Sequence, residues 1–422
     1  MIPFHTPTGM TRRHFMTHLA GASALALPAL SLTRSVYAAA DTMRRNHKSA
    51  ILLWMGGGPP TIDIWDLKPG APTGGPSRPI ATKGNALIND RMPLLAEHMD
   101  KLSVIRSMST READHERGRY YMHTGYVPNP NVQHPSYGSV VAHEMESQLS
   151  DMEIPLFVSV GGGSEGPGFL GMAYAPFQVD SNGRVRNLNM GIEEQRLAQR
   201  FALLETIEGR FINQRRGMAA IDHAKVLGKT NSLLTSEQMK AFDVGKESDE
   251  TKELYGDSGF GRGCMLARRL VEHGVPFVEV NLGGWDLHQN CFTTLDNKLP
   301  EMDKGMSGLM QDLSQRGLLE DTVVIWMGEF GRTPRINATA GRDHYARAWS
   351  AVVGGGPING GLTVGETSAD GSRVESQPFS SEDLMATVCH ALGISLQTTF
   401  TSNNGRPMKI ANGGSVITEL FG

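Results

Sequence analysis

The sequence predicts an α/β fold in which a mostly parallel central sheet is flanked by helices on both faces. Short runs of apolar and β-branched residues alternate with amphipathic stretches that have helical spacing. Most of these runs end in glycine-rich segments, as is typical where a buried strand meets a loop. The predicted strands are Ala50–Met55, Leu102–Ser107, Pro155–Val160, Pro276–Asn281, Thr322–Trp326 and Ala351–Val353.

Helical spacing of the apolar residues places helices between these strands. They are predicted at Met92–Asp100, Arg117–His123, Leu295–Gln315 and Ser380–Leu392. From Gly191 to Val271 charged residues alternate with apolar ones at helical spacing, without a strong strand pattern. This stretch is predicted to be a helical insertion of about 191–271 in a single α/β domain, 41–422. A lid over the strand ends is a hypothesis based on its position alone.

Composition excludes some classes of protein. The chain has 422 residues, 39% hydrophobic content and a formal net charge of −4, which suits an enzyme-sized globular protein. No basic block is interleaved with aromatic residues, so nucleic acid is not an expected partner. The three cysteines are Cys264, Cys291 and Cys389. They have no zinc-ligand spacing and form no disulfide framework.

The N-terminus has the pattern of a secretory signal peptide. Arg12 and Arg13 precede Phe15, an apolar run and three alanines at 38–40, which is the twin-arginine form. Residues 1–40 are therefore predicted to be removed during export. The protein is predicted to be periplasmic or otherwise exported through the twin-arginine route. A membrane anchor is the alternative interpretation. No later segment is apolar and long enough to span a bilayer.

Carboxylate and imidazole side chains follow several of the predicted strands. Because parallel strands end at one edge of a sheet, such residues meet there although they are distant in sequence. These residue types bind zinc, manganese and similar divalent ions. The alternatives are turn or cap positions for Asp63 and Asp66, surface positions for Asp286, His288 and His344, and an ion pair of Glu329 with Arg332 or Arg335. The candidates are Asp63, Asp66, His115, Asp286, His288, Glu329, Asp343 and His344.

Four segments carry a family resemblance. The chain contains, in this order, the segments GGGPPTIDIWDLKP, ADHERGRYYMHTGYVP, GGWDLH and MGEFGRTPRIN, the last followed by GRDHY. Together with the signal peptide they resemble a bacterial family called domain of unknown function 1501. The match covers most of the chain, roughly Lys48 to Leu392, and that family resembles the alkaline-phosphatase and sulfatase superfamily. The resemblance implies an alkaline-phosphatase-like α/β sandwich, two divalent metals at strand ends, and hydrolysis of phosphate or sulfate esters.

Carried over residue by residue, the resemblance assigns Asp286, His288 and His344 to one metal. Asp63 is the nearest match to the aspartate that follows the first strand, with Asp66 second. Glu329 matches an aspartate ligand of a second metal, and Phe330 stands where that motif has a histidine. The metal is expected to be zinc, calcium or manganese.

The segment His115–Pro128 resembles the sulfatase signature, with Arg119 at a matching position and His115 in place of the nucleophilic cysteine. Ordinary sulfatase chemistry needs that cysteine. His115 is therefore predicted to be a ligand of the second metal, in place of the histidine missing at Phe330, or alternatively a nucleophile or a general base. Arg119 and Arg332 are candidate anion-binding groups, since a guanidinium pairs with phosphate or sulfate in bidentate fashion.

Three functions remain open from the sequence. The first is an exported metal-dependent hydrolase acting on a small-molecule or glycan ester of phosphate or sulfate. The second is a non-catalytic protein that binds an anion or a glycan on the same scaffold. The third is a metal-dependent transferase or mutase.

Overall fold

The computed structural model describes residues 47–185 and 218–422, together with 196, 199, 200, 202–204, 206, 207 and 209. The predicted signal peptide, 1–40, lies outside the described residues. The strands are β1 (Ser49–Trp54), β2 (Pro79–Ile80), β3 (Ile88–Asn89), β4 (Leu102–Met108), β5 (Phe157–Val160), β6 (Phe177–Val179), β7 (Phe277–Asn281), β8 (Thr322–Met327), β9 (Gly331–Arg332), β10 (His344–Tyr345), β11 (Trp349–Gly354), β12 (Thr363–Val364), β13 (Thr399–Thr401) and β14 (Pro407–Lys409).

The helices alternate with these strands, as the spacing of apolar residues predicts. The α-helices are α1 (Thr61–Ile64), α2 (Pro93–Ala96), α3 (His115–Thr124), α4 (Tyr137–Met145), α5 (Met218–Thr235), α6 (Asp249–Tyr255), α7 (Gly259–Glu272), α8 (Cys291–Gln315) and α9 (Ser381–Leu392). The 3-10 helices are Met99–Lys101, Glu146–Gln148, Gly168–Leu170, Met172–Tyr174, Glu237–Phe242, Val244–Lys246, Leu319–Asp321, Ile410–Gly413 and Thr418–Leu420.

The central sheet has eight strands in the order β12-β4-β11-β8-β1-β7-β5-β6. Strand β1 is parallel to both of its neighbours, β7 and β8, and β5 is parallel to β7 and β6. Strand β11 is antiparallel to β4 and β8. The carboxyl ends of β8, β1, β7 and β5 therefore lie along one edge of the sheet, where open α/β sheets place their ligands.

Both faces of the sheet are covered by helices. Ile51 and Leu53 of β1 belong to a hydrophobic cluster that contains residues of α7 and α8. Ala50, Leu52 and Trp54 belong to a second cluster with residues of α4 and α9. Successive side chains of a strand point to opposite faces, so β1 is buried on both sides. The predicted fold class, a mostly parallel sheet with helices on both faces, is confirmed.

All six predicted strands are present, with ends that differ by at most two residues. The prediction of one helix over Met92–Asp100 is wrong. Helix α2 ends at Ala96, and His98 has φ −116° and ψ 3°, outside the α-helical region. The carboxylate of Asp303 accepts hydrogen bonds from the N–H groups of Leu94 and Leu95, which fixes this short turn against α8.

The described residues of the predicted helical stretch, 191–271, include helices α5, α6 and α7. Helix α7 is a core element, because Cys264, Leu266 and Leu270 are fully buried against the sheet. The assignment of this stretch as an insertion stays a prediction.

The three cysteines are free and buried. Among the helices of the described residues, none has the length and hydropathy needed to span a bilayer.

Candidate metal centre

Side chains from separate elements converge above the carboxyl edge of the sheet. His115 is the first residue of α3, whose N-cap Asp114 accepts a hydrogen bond from the Arg117 N–H. Asp286 and His288 follow β7. His344 begins β10 and pairs with Arg332 of β9. The cluster of His115, Asp286, His288 and His344 is called the histidine cluster below.

The side chain of Asp286 lies at the centre of the histidine cluster. Its Oδ1 atom is 3.3 Å from His115 Nε2, 3.1 Å from His288 Nε2 and 3.2 Å from His344 Nε2. The Nε2 atoms of His288 and His344 are 3.0 Å apart. Ligand atoms of His115, Asp286 and His344 all lie within 4.8 Å of one another. The structure therefore brings together four of the predicted ligands.

The second ring nitrogen of each histidine is held by an acceptor. His115 Nδ1 lies 2.7 Å from Glu329 Oε1, and His288 Nδ1 lies 2.9 Å from Asp343 Oδ1. His344 Nδ1 lies 2.7 Å from the Ala113 carbonyl oxygen. Carbonyl and ionised carboxylate oxygens only accept hydrogen bonds, so each Nδ1 carries the hydrogen. In the neutral rings all three Nε2 atoms then present lone pairs to Asp286.

Such an arrangement suits a divalent cation. Imidazole lone pairs that point at each other and at a carboxylate oxygen repel both, unless a positive charge lies between these atoms. The Nε2 atom of His115 is buried without a hydrogen-bond partner among the described residues. Three imidazole nitrogens and one carboxylate oxygen form a donor set that zinc or manganese accepts. The residues present thus fit the predicted metal.

The guanidinium of Arg332 contacts Asp286 and backbone carbonyl groups. Its side chain is fully buried, and Nη2 donates to Asp286 Oδ1 at 2.6 Å. Other N–H groups donate to the carbonyl oxygens of Gly57, Gly58 and Arg342. Arg332 is not among the described residues that line the cleft, and its role as a clamp for a substrate anion stays a prediction. Arg332 is a positioning residue for Asp286.

The same contact sets the charge of Asp286. Burial would raise the pKa of this carboxyl, but hydrogen bonding and charge attraction from Arg332 lower it to about 2. Asp286 therefore stays ionised at any pH near neutrality, as a metal ligand must.

Glu329 lies beside the cluster. Its Oε1 atom accepts hydrogen bonds from the Gly57 N–H at 2.9 Å and from His115 Nδ1. Its Oε2 atom is buried and has no partner among the described residues. Phe330 is fully buried, with its ring centroid 5.1 Å from that of His115 and 4.7 Å from that of His344. Phe330 thus packs against the cluster in the position where the family resemblance expects a histidine.

The predicted ligand Asp63 is not brought into this group. Its carboxylate forms a two-point ion pair with Arg342, at 2.7 Å to Nε and 2.8 Å to Nη2. Burial raises the pKa of Asp63, and the Arg342 guanidinium opposes this shift. The second candidate, Asp66, pairs with Lys68 at 3.0 Å. Both aspartates therefore have structural partners away from the histidine cluster.

An open cleft of about 550 Å³ adjoins the cluster. His115, Glu116 and Arg119 contribute to its wall, together with Asp286 and Glu329. The predicted anion-binding residue Arg119 thus reaches the cleft, and its Nε atom is paired with Glu165 at 2.8 Å.

Two roles were not predicted from the sequence. Asp343 orients His288, and the backbone carbonyl of Ala113 orients His344. The position of Asp343, directly before His344 in GRDHY, is a signal that suggests a supporting carboxylate. A backbone carbonyl carries no such signal, because every residue has one.

Replacing Asp343 by alanine is expected to weaken metal binding by about 10- to 100-fold, the usual effect of removing a partner that orients a ligand. Calorimetric titration of the metal-free protein with zinc would measure this change. Asp370→Ala, which removes an exposed aspartate bonded to Ser368 and Ser372, is the control. Equal affinities for the Asp343→Ala and Asp370→Ala proteins would refute the orienting role.

His123 lies below the cleft in a buried ion pair. Its Nε2 is 3.3 Å from Glu279 Oε2, and both side chains are almost completely buried. Burial lowers the pKa of His123, but attraction to Glu279 outweighs this effect and the pKa is raised. His134 is likewise structural, stacked on Tyr126 with ring centroids 4.0 Å apart.

The His123–Glu279 pair predicts a pH dependence of stability. A histidine whose folded-state pKa is raised contributes stability that is fully present below its unfolded pKa of about 6.5 and is lost as pH rises through the folded value. The urea midpoint of the native protein should therefore exceed that of Glu279→Gln most at about pH 5.5 and least at about pH 8. A difference that does not change with pH would contradict this assignment.

Fold and site together define an α/β protein with a candidate metal centre at the carboxyl edge of its sheet. Residues 47–421 match the family described as "Protein of unknown function (DUF1501)". The chain belongs to this family, and the resemblance predicted from the sequence motifs is confirmed. No curated protein matches the chain.

Several solved structures are similar to this chain. A protein in the alkaline phosphatase superfamily from Vibrio parahaemolyticus has 13% identity and a TM-score of 0.36, with 88% of this chain and 70% of that chain covered. PsFucS1 sulfatase from Pseudoalteromonas sp. has 12% identity and a TM-score of 0.41, with 87% and 71% covered. Phosphonate monoester hydrolase SpPMH from Silicibacter pomeroyi has 10% identity and a TM-score of 0.36, with 89% and 76% covered.

Proposed function

We propose that this protein is a metal-dependent hydrolase of phosphate or sulfate esters. The observation that carries the proposal is the convergence of three Nε2 lone pairs on Asp286 Oδ1 beside an open cleft. His115, Asp286, His288 and His344 would hold the metal, which when bound supplies a Lewis acid for the ester oxygen and lowers the pKa of water.

In this proposal His115 acts as a ligand. Its Nδ1 hydrogen is held by Glu329 at 2.7 Å, so its Nε2 lone pair faces Asp286. A nucleophilic role would need that same lone pair to face the substrate. Retention of metal by a His115→Ala protein that has lost activity would instead support the nucleophile or base.

Water is the proposed nucleophile. Among the described residues, no serine, threonine or cysteine lines the cleft. Glu329 lines the same cleft and its Oε2 atom has no partner among the described residues; this carboxylate is the proposed acceptor of the proton of the attacking water. A bond then forms between the water oxygen and phosphorus or sulfur, and the ester bond to the alcohol breaks. The departing alcohol oxygen takes a proton from solvent.

The test uses the mature protein loaded in turn with zinc, manganese or calcium and assayed on a panel of phosphate and sulfate monoesters. We expect metal-dependent hydrolysis that Glu329→Gln lowers by about 100-fold or more while metal content stays full. Glu419→Gln, at an exposed position, is the control and should retain activity. A metal-loaded protein that hydrolyses no ester would refute the proposal. It would favour a non-catalytic protein that binds an anion or a glycan, which the absence of a hydroxyl or thiol among the described cleft residues also suits.

We also propose export by the twin-arginine route, because Arg12 and Arg13 precede an apolar run and a small-residue cleavage site. Cell fractionation of the full chain and of an Arg12→Lys, Arg13→Lys variant would test this. Both proteins in the same compartment, with residues 1–40 retained, would contradict export.

A further inference from the structure

The cleft beside the histidine cluster has a floor made largely of glycine. The loops after β1, β5 and β7 contribute Gly56, Gly57, Gly161–Gly163 and Gly283. The first turns of α3 form the opposite wall. These strands are neighbours in the sheet, so the glycines form a continuous channel that leads away from Asp286 toward β5. This part of the cleft is called the trough.

At two positions the fold itself does not require glycine. A Cβ atom on Gly283 would meet no atom within 4 Å, and one on Gly163 would meet only Gln178 Nε2, at an ordinary 3.5 Å. Neither residue has a positive φ. By contrast, Gly57 has φ +116°, and a Cβ there would lie 2.6 Å from the Asp286 backbone nitrogen. Glycine at 163 and 283 therefore leaves space in the trough that a larger side chain would occupy.

Several side chains of the trough wall are polar. The Glu116 carboxylate and the Nη groups of Arg119 reach the cleft without a partner among the described residues. Asn281 also lines it, and the described lining contains no aliphatic side chain. Trp54 is the aromatic residue of that lining, and its ring packs on His123 with centroids 4.1 Å apart. The hydrogen-bonding groups of Glu116, Arg119 and Asn281 favour a ligand rich in hydroxyl groups.

We propose that the trough binds the alcohol part of the substrate ester and that this alcohol carries many hydroxyl groups, as a sugar does. The proposal rests on the proposed function, since it places the phosphate or sulfate group at the histidine cluster. Hydroxyl groups would donate to Glu116 and accept from Arg119, while the glycine floor leaves space for the ring. An aryl or alkyl alcohol would form none of these hydrogen bonds, so it is expected to bind less tightly.

The experiment measures binding by calorimetry to metal-loaded Glu329→Gln protein, in which turnover is suppressed. The probes are glucose 6-phosphate, phenyl phosphate and inorganic phosphate, with galactose 6-sulfate, phenyl sulfate and inorganic sulfate as the parallel set. We expect the sugar ester of at least one set to bind about tenfold or more tightly than its phenyl counterpart. Adding Gly283→Val should weaken binding of that sugar ester by about tenfold or more and leave the inorganic anion within about twofold.

Two further variants keep the result decisive. Gly163→Val fills another part of the trough and is made in parallel, so misfolding of one variant does not prevent the test. Gly166→Val is the control, because a Cβ at this exposed glycine also meets no atom within 4 Å and Gly166 does not line the trough. Metal content confirms that each variant is intact.

Phenyl esters that bind as tightly as sugar esters in both sets would overturn the proposal, as would sugar binding that neither trough variant changes. The two proposals can fail separately. Sugar esters that bind in the trough but are not hydrolysed by the native protein would refute the hydrolase alone. Hydrolysis that prefers phenyl esters would refute the trough assignment alone.

Discussion

The His288→Ala, His344→Ala double variant is expected to lose its bound divalent metal and its metal-dependent ester hydrolysis. The two Nε2 atoms lie 3.0 Å apart and both face Asp286, so the double substitution removes two of four donors. A metal that acts as a Lewis acid contributes several kcal/mol to catalysis, which corresponds to a loss of activity on the order of 1,000-fold.

Metal content by mass spectrometry and initial rates on the best ester would measure this effect. His390→Ala is the matched control, because His390 is exposed on α9 and packs on Phe421. It should keep both metal and activity. If the double variant retains a full equivalent of metal, the histidine cluster is not the metal site.

The Arg342→Met variant is expected to be destabilised by about 3–5 kcal/mol, the usual result of removing one partner of a buried ion pair. Arg342 and Asp63 are almost completely buried and joined by two hydrogen bonds. Removing the guanidinium leaves a buried carboxylate without a compensating charge. It also frees the carbonyl oxygens of Thr73 and Thr333, which accept from Arg342.

Urea denaturation of the metal-free protein measures the change. Arg373→Met is the control, because Arg373 forms an exposed pair with Glu375 at 2.5 Å; it should lower stability by at most about 0.5 kcal/mol. Equal urea midpoints for the two variants would contradict the buried pair. In a second experiment, Asp63→Asn should keep its full metal content, whereas the ligand role predicted from sequence requires metal loss.

The strands of this fold could be predicted because both faces of the sheet are buried. Strand β1 has no exposed position, so its sequence is apolar from Ala50 to Trp54 and is recognisable without knowledge of its neighbours. The short helix α2 could not be predicted in this way. The N–H groups of its first turn donate to the carboxylate of Asp303, more than 200 residues later in the chain.

The same distinction applies to the site. Asp286, His288 and His344 were recognisable because they follow strand ends, and the structure brings them together with His115. For Arg332 and Asp63 the sequence shows the charges but not the partners. Each is buried against a charge from a distant segment: Asp286 for Arg332, and Arg342 for Asp63. Long-range pairing of this kind decides whether a charged residue is a ligand or a structural support.

Anomalous diffraction from crystals grown with zinc or manganese tests the central claim most directly. The expected result is a metal peak about 2.0–2.2 Å from the Nε2 atoms of His115, His288 and His344 and from an Asp286 carboxylate oxygen. Crystals saturated with metal that show no peak at the histidine cluster would contradict the claim.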